Sequence, residues 1–380
     1  MIYLDNAATT FPKPACVQRT VLNCMQTFAA NPGRSGHALA AKASEALYEA
    51  RTTVGDFFGA APERVIFTMN CTHGINYALK GTLQPGDHII ISSLEHNAAF
   101  RPLHRMQSEG RISFDIARVV PGNDEQTVQN FAALIRENTK MIFCIHVSNV
   151  FGTELPIRKL GALAKSRRLL FGVDAAQSAG TAEINMKKLG IDLLCLPGHK
   201  GLFGPMGTGA LLLSENVEPV PIIEGGTGSL SLLAEQPTEY PDRLESGTVN
   251  LPGILGLMAG IRFIKHLGGC NVIHRHEAAL IRTLKNELHE IPGVTVFDRV
   301  QKEDATLLSF SLDRLPSEEV AERLNRFGFA VRAGFHCAAQ AHLSMGTDKN
   351  GTVRVSPGVF NELRHIKSLI FYVNQIAMTV

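Results

Sequence analysis

From residue 65 to residue 213 the chain repeats one rhythm: a short apolar run, a polar turn, then a longer stretch with apolar positions at helical spacing. The runs at Val65–Thr68, His88–Ser92, Ile112–Val119, Met141–Val147 and Leu169–Val173 predict strands. Between them Gly74–Lys80, Ala98–Ser108, Glu125–Glu137 and Arg158–Arg167 predict helices. Upstream, Leu47, Ala50, Val54 and Phe57 fall on one helical face and Gly59 stops it. Strands that are apolar throughout, alternating with helices, predict an α/β fold with a mostly parallel central sheet covered on both faces.

After Pro292-Gly293 the rhythm changes. Val294–Phe297, Leu307–Leu312 and Val353–Ser356 predict strands, and Ser317–Phe327 and Glu362–Ile376 helices, which is a smaller α+β unit. Residues 17–252 are therefore expected to form a large domain. Residues 1–16 and 253–380 are expected to form a small one. The region from Glu224 to Asn250 is rich in Gly, Ser, Thr and Pro and predicts a long ordered loop.

Composition narrows the function classes. A net charge of +2 with no long basic run argues against a nucleic-acid binder. The N-terminus MIYLDNAATT lacks the basic and apolar regions of a secretion signal, and no run is as long as a membrane span. A cytoplasmic protein is expected. The seven cysteines include no C-x-x-C pair, so neither a disulfide framework nor a metal site is expected. Most lie in apolar runs and read as core residues. Cys337 lies in a polar setting and reads as exposed.

The stretch IDLLCLPGHKGLFGPMGTGALLL, residues 191–213, carries the candidate chemistry. Its apolar strand stops at Pro197-Gly198, so Lys200 stands at a strand end inside a glycine-rich turn. A lysine held among apolar strands has its ammonium destabilised and suits Schiff-base chemistry. Ligands of open parallel sheets bind beyond such strand ends. The other ends carry Cys71-Thr72, His96, Asn149 and Asp174. Thr72 at a helix start reads as a phosphate contact or an N-cap, and His96 as a ring-stacker or a cap. Asn149 reads as a ligand or turn contact, and Asp174 as a carboxylate needing a cationic partner. Together these groups match a cofactor with a phosphate, an aromatic ring and an aldehyde, which is pyridoxal 5'-phosphate.

The motifs DNAATT (5–10), THGIN (72–76), EHN (95–97), HVSNVFGT (146–153), VDAAQ (173–177), GHK (198–200), LESGTVN (244–250) and RAGFHCA (332–338) resemble the cysteine desulfurases. These are class V, fold-type I pyridoxal-phosphate enzymes, and the closer match is to the SufS-like group that includes selenocysteine lyases. The resemblance implies that Lys200 bonds the cofactor aldehyde, Asp174 pairs with the pyridinium nitrogen, His96 stacks on the ring and Gln177 touches its hydroxyl. Thr72, Cys71 and His199 would lie at the cofactor, with Thr248 reaching the phosphate from a second subunit of a homodimer. Asn149, Arg354 and Arg332 would meet the substrate carboxylate. Cys337 would take sulfur from L-cysteine as a persulfide, releasing L-alanine, with His336 and Arg332 as neighbours able to stabilise its thiolate. A protein sulfur acceptor is implied. Selenocysteine lyase, or another class V aminotransferase or lyase acting on a small amino acid, is the alternative. Pro197, Phe335 and His73 depart from the family pattern, and the stretch 338–353 reads as a cover over the site.

Overall fold

The structure is a computed structural model and describes residues 1–33, 36–297 and 305–379. Its centre is a seven-stranded sheet in the order Val65–Thr68, Gly209–Leu213, Leu193–Pro197, Leu170–Asp174, Thr139–Ile145, His88–Ser92, Ser113–Ala117. All neighbours are parallel except Gly209–Leu213, which is antiparallel to both of its partners. The connection from Gly198 to Thr208 is too short for a parallel crossover, so the chain folds back on itself there.

The unbroken apolar runs are explained by two cores. Leu194 and Leu196 enter one buried cluster and Leu193 and Cys195 the other, as strand alternation requires when helices cover both faces. Gly172 sits where an added Cβ would lie 2.5 Å from the Phe143 ring, so its small size lets that ring lie against the sheet.

The expected helices are present with shifted ends. The one expected from Gly74 starts at Cys71, because the Asn70 side chain accepts the His73 N–H at 2.9 Å and caps it. The strand expected at Met141–Val147 runs Thr139–Ile145. The stretch 224–250 contains no helix or strand, as expected. Its far end is fixed by Glu245, which pairs with Arg51 at 2.7 Å and accepts the Phe67 N–H at 2.6 Å.

A second sheet, in the order Arg332–Gly334, Thr352–Val355, Leu308–Leu312, Val294–Val296, is antiparallel throughout. It shares a core with the helices Cys270–His289, Ser317–Arg326 and Leu363–Met378. Leu4 is buried in that core, and Ile2–Tyr3 pairs with Phe329–Ala330. The N-terminal segment thus packs with the small unit.

Two features add to the expected picture. The helix Leu251–His266 is apolar on nearly every side and packs into the large core together with Ile273. The helix Cys270–His289 contributes to both cores, with Cys270 and Ile273 in the large one and Leu280, Ile281, Leu284 and Leu288 in the small one. The stretch 338–353 is no detached cover: Ala339–Met345 is helical, Ala341 and His342 are buried, and Thr352–Val355 is a central strand of the small sheet.

Candidate active site

A cleft opens at the carboxyl ends of the parallel strands. Its lining includes Cys71, Thr72, His96, Asn149, Asp174, Pro197, His199 and Lys200. Residues scattered over the sequence meet there because successive strands end at the same edge of the sheet.

Lys200 is held half-buried by backbone packing. A Cβ on Gly201 would lie 2.4 Å from the Ala179 carbonyl, and one on Gly180 would lie 2.2 Å from the Gly201 carbonyl. Burial lowers the Lys200 pKa; the Asp174 carboxylate opposes this, while Arg354 and Arg332 add to it. The amine is thereby easier to deprotonate, as attack on an aldehyde requires.

Asp174 is buried and its pKa is raised by desolvation. Its Oδ1 accepts the Ala176 N–H at 2.8 Å and the Cys71 thiol at 3.4 Å. Among the described residues no cation lies within ion-pair distance of it. A carboxylate without an ion pair among the described residues fits a cationic partner that belongs to a ligand, such as a pyridinium nitrogen.

His96 caps a helix and lines the cleft. Its Nδ1 accepts the Ala98 N–H at 3.0 Å, capping Asn97–Ser108, while its ring lines the cleft. Burial and then Lys200 lower its pKa to about 4, so the ring is neutral. Burial likewise lowers His199 to about 4, and its Nδ1 is buried without a partner. Thr72 is exposed in the first turn of Cys71–Lys80, where free N–H groups meet the cleft; the cap itself is Asn70. Asn149 donates from Nδ2 to the His336 carbonyl at 2.7 Å, and its Oδ1 is buried without a partner. A carboxylate lacking a counter-ion, two unpartnered buried polar atoms and a helix start suit the acid-binding, ring and phosphate ends of pyridoxal phosphate.

Cys337 is exposed, the other cysteines are buried or half-buried, and none is paired. It lines a shallower groove that shares Thr72, His96 and Ala98 with the cleft. His336 and Cys337 have φ of 47° and 57°, left-handed values unusual for non-glycine residues in succession. Four contacts hold the bend. The Cys337 carbonyl accepts the Asn97 N–H at 2.8 Å, the His336 carbonyl accepts from Asn149, and the His336 Nε2 meets the Thr352 carbonyl and hydroxyl at 3.1 Å. Burial pushes His336 down to about 3. Its ring is anchored on Thr352, beside the Cys337 bend.

Arg332 and Arg354 are register partners on adjacent antiparallel strands and so present side chains to one face. Arg354 is already engaged: Nη2 pairs with Asp5 at 2.7 Å and Nη1 donates to the Asn149 carbonyl at 2.8 Å. The Gln177 amide donates to the Ala7 carbonyl at 3.0 Å. Thr248 is exposed. Of the three departures, Pro197 lines the cleft, Phe335 is exposed with its ring against His342, and His73 turns away to accept the Met69 N–H at 3.3 Å.

Sequence reasoning missed the N-terminal strap. The His199 carbonyl accepts from the Thr9 hydroxyl at 3.0 Å, the Thr10 N–H at 3.1 Å and the Lys13 ammonium at 2.7 Å. The available signal was a dense polar motif, DNAATT, with no assigned task.

The family model described as aminotransferase class-V matches residues 2–369. A protein of Methanothermobacter thermautotrophicus named "Probable cysteine desulfurase" is 32% identical, with 99% of this chain and 94% of that protein covered. One of Pyrococcus abyssi with the same name is 31% identical, covering 100% and 95%. Among solved structures, the apo cysteine desulfurase of Thermococcus onnurineus has a TM-score of 0.92 at 32% identity, covering 100% of this chain and 95% of that one. The Escherichia coli cysteine desulfurase CsdA has a TM-score of 0.88 at 26% identity, with the same coverage. The fold, the strand-end cleft and these relatives agree: the chain belongs to the class-V aminotransferase family, alongside the cysteine desulfurases.

Proposed function

We propose that the protein is a pyridoxal-phosphate-dependent cysteine desulfurase that converts L-cysteine to L-alanine and takes the sulfur on Cys337. The observation that carries this reading is a pair of adjoining hollows that share Thr72, His96 and Ala98. One is lined by the half-buried amine of Lys200 and the other by the exposed thiol of Cys337.

Pyridoxal phosphate, when bound, supplies an electron sink for bonds at the substrate α-carbon. Lys200 would anchor it, Asp174 would meet the ring nitrogen, His96 would cover the ring face, and His199 and Thr72 with the Cys71–Lys80 helix start would hold the phosphate. Lys200, with its lowered pKa, moves the proton at the α-carbon. Arg332 meets the substrate carboxylate beside Arg354. Cys337 as a thiolate attacks the substrate sulfur. The sulfur–carbon bond breaks, Cys337 is oxidised to a persulfide, and the substrate β-carbon is reduced to the alanine methyl group. The strained bend at His336-Cys337 keeps the thiol at the mouth of the cleft, within reach of a sulfur acceptor.

The functional unit is proposed to be a homodimer. Thr248 sits on the loop that exposes Ile223, Leu230, Leu232 and Leu233, and an apolar loop of that kind suits burial against a second copy. Thr248 of the partner subunit would then reach the phosphate.

The test is direct. Purified protein carrying the cofactor is expected to absorb in the visible, and K200A to lose the covalent bond that borohydride traps. C337A is expected to keep the colour and lose sulfide release by at least about 100-fold. Full turnover in C337A would reassign the nucleophile. Amino-group transfer to a keto acid without sulfur release would make the protein an aminotransferase.

A further inference from the structure

The Arg354 guanidinium is almost wholly buried, and two of its three nitrogens are committed within the protein. Its Nε is buried with no partner. The carboxylate on Nη2 belongs to Asp5, whose main chain is laced to the end of Arg354's own strand. Ser356 donates to the Leu4 carbonyl at 2.8 Å, Asn6 donates to the Ser356 carbonyl at 3.0 Å, and Asp5 bridges Ser356. Asp5 is therefore a fixture of the site. A buried guanidinium keeps such a partner because separating the pair would leave an uncompensated charge.

Arg332, the register partner of Arg354, has no ion-pair partner among the described residues. Both guanidiniums act on Lys200 and His96, so both stand within electrostatic range of the cleft. Two cations and one fixed carboxylate leave a single positive charge to be met by ligand.

We infer that Asp5 is a specificity-determining residue: by neutralising Arg354 it sets the charge of the carboxylate subsite to match an amino acid with one carboxylate and a neutral side chain, and it disfavours dicarboxylic ligands. Discrimination of this kind works through an added repulsion against the wrong ligand. The inference rests on the cysteine desulfurase reading only in taking Arg332 and Arg354 as the subsite for the substrate carboxylate.

The test uses the cofactor-loaded enzyme and two unreactive probes, propionate and succinate, with affinities from calorimetry. D5N is expected to shift the succinate-to-propionate affinity ratio towards succinate by at least about tenfold. D5S carries the same expectation should D5N fail to fold. R332A, which cancels the residual charge, is expected to weaken propionate binding. R332A combined with D5N restores a single positive charge and is expected to recover it to within about threefold of the unmodified protein. A purely structural role for Asp5 would not produce that recovery. An unchanged ratio in D5N, or a double variant weaker than R332A, overturns the inference. Sulfide release from L-cysteine by the unmodified protein is measured in parallel. Its absence would overturn the functional reading while leaving the affinity ratio to decide the role of Asp5.

Discussion

At the scale of single residues, the site is governed by what burial does to charge. Lys200 is driven towards its neutral form and His96 and His199 are held neutral, whereas burial raises the Asp174 pKa and the nearby Lys200 opposes that shift. One residue outside the cleft shows the same effect in isolation. Glu95 is fully buried, and desolvation raises its carboxyl to about 8. Its Oε1 accepts the Ser92 hydroxyl and the Ile145 N–H, while Oε2 has no partner. The folded protein therefore keeps a proton that the unfolded chain releases above its ordinary carboxylate pKa. The unfolded state binds fewer protons in that window, so stability falls as pH rises from about 4.5 to about 8 and levels off above. E95Q is expected to flatten this dependence. At pH 8 it should be more stable than the unmodified protein, by on the order of 2 kcal/mol, in denaturant titrations run across that range.

Residue chemistry was partly legible in the sequence. Lys200, Asp174, His96 and Asn149 could be singled out because each follows an apolar run, and strand ends are where ligands bind. Asp5, Lys13 and Asn70 could not. Asp5 acts on Arg354 across almost the whole length of the chain, and no spacing rule links a polar motif at the start to a strand near the end. Nor does a sequence show that Asp5 holds Arg354 and Thr352 holds His336.

At the scale of elements, the cleft depends on backbones packed too closely to admit a side chain. Helix Leu251–His266 crosses the Lys200 turn at Gly260, where a Cβ would lie 2.0 Å from the Leu202 carbonyl. G260A is expected to push the helix off that turn. It should lower thermal stability by about 1–3 kcal/mol and weaken cofactor retention, read by melting and by equilibrium dialysis of the cofactor. A second tie is the buried Arg51–Glu245 pair, which fastens the loop carrying Thr248 to the edge strand Val65–Thr68. R51A would leave Glu245 buried without a counter-ion and is expected to cost about 3–5 kcal/mol in a denaturant titration. The sequence showed these elements but not these ties. Helix existence follows from periodicity, whereas the contact at Gly260 and the pair across 51 and 245 are set by tertiary packing. Helix Leu251–His266 is a further case: an all-round apolar helix states that it is buried, not in which core.

At the scale of the whole molecule, two packed units meet at the site, and the strap from Asp5 to Lys13 joins them. Its Asp5 end holds Arg354 of the small sheet and its Lys13 end holds the His199–Lys200 turn of the large one. No helix of the described residues is long and apolar enough to cross a membrane. The proposed homodimer would cover the exposed apolar loop at 223–233. On that proposal L232D combined with L233D is expected to give a monomer in sedimentation where the unmodified protein gives a dimer, and to weaken cofactor binding by about tenfold or more.

The central claim is that Lys200 and Cys337 serve one reaction. Its most direct test is incubation of the cofactor-loaded protein with L-cysteine, without a sulfur acceptor, followed by mass mapping of the cysteine peptides and assay of alanine. The peptide carrying Cys337 is expected to gain the mass of one sulfur atom as one equivalent of alanine appears, and C337A to yield neither. Alanine formed while Cys337 stays unmodified, or sulfur carried on another cysteine, would contradict the account.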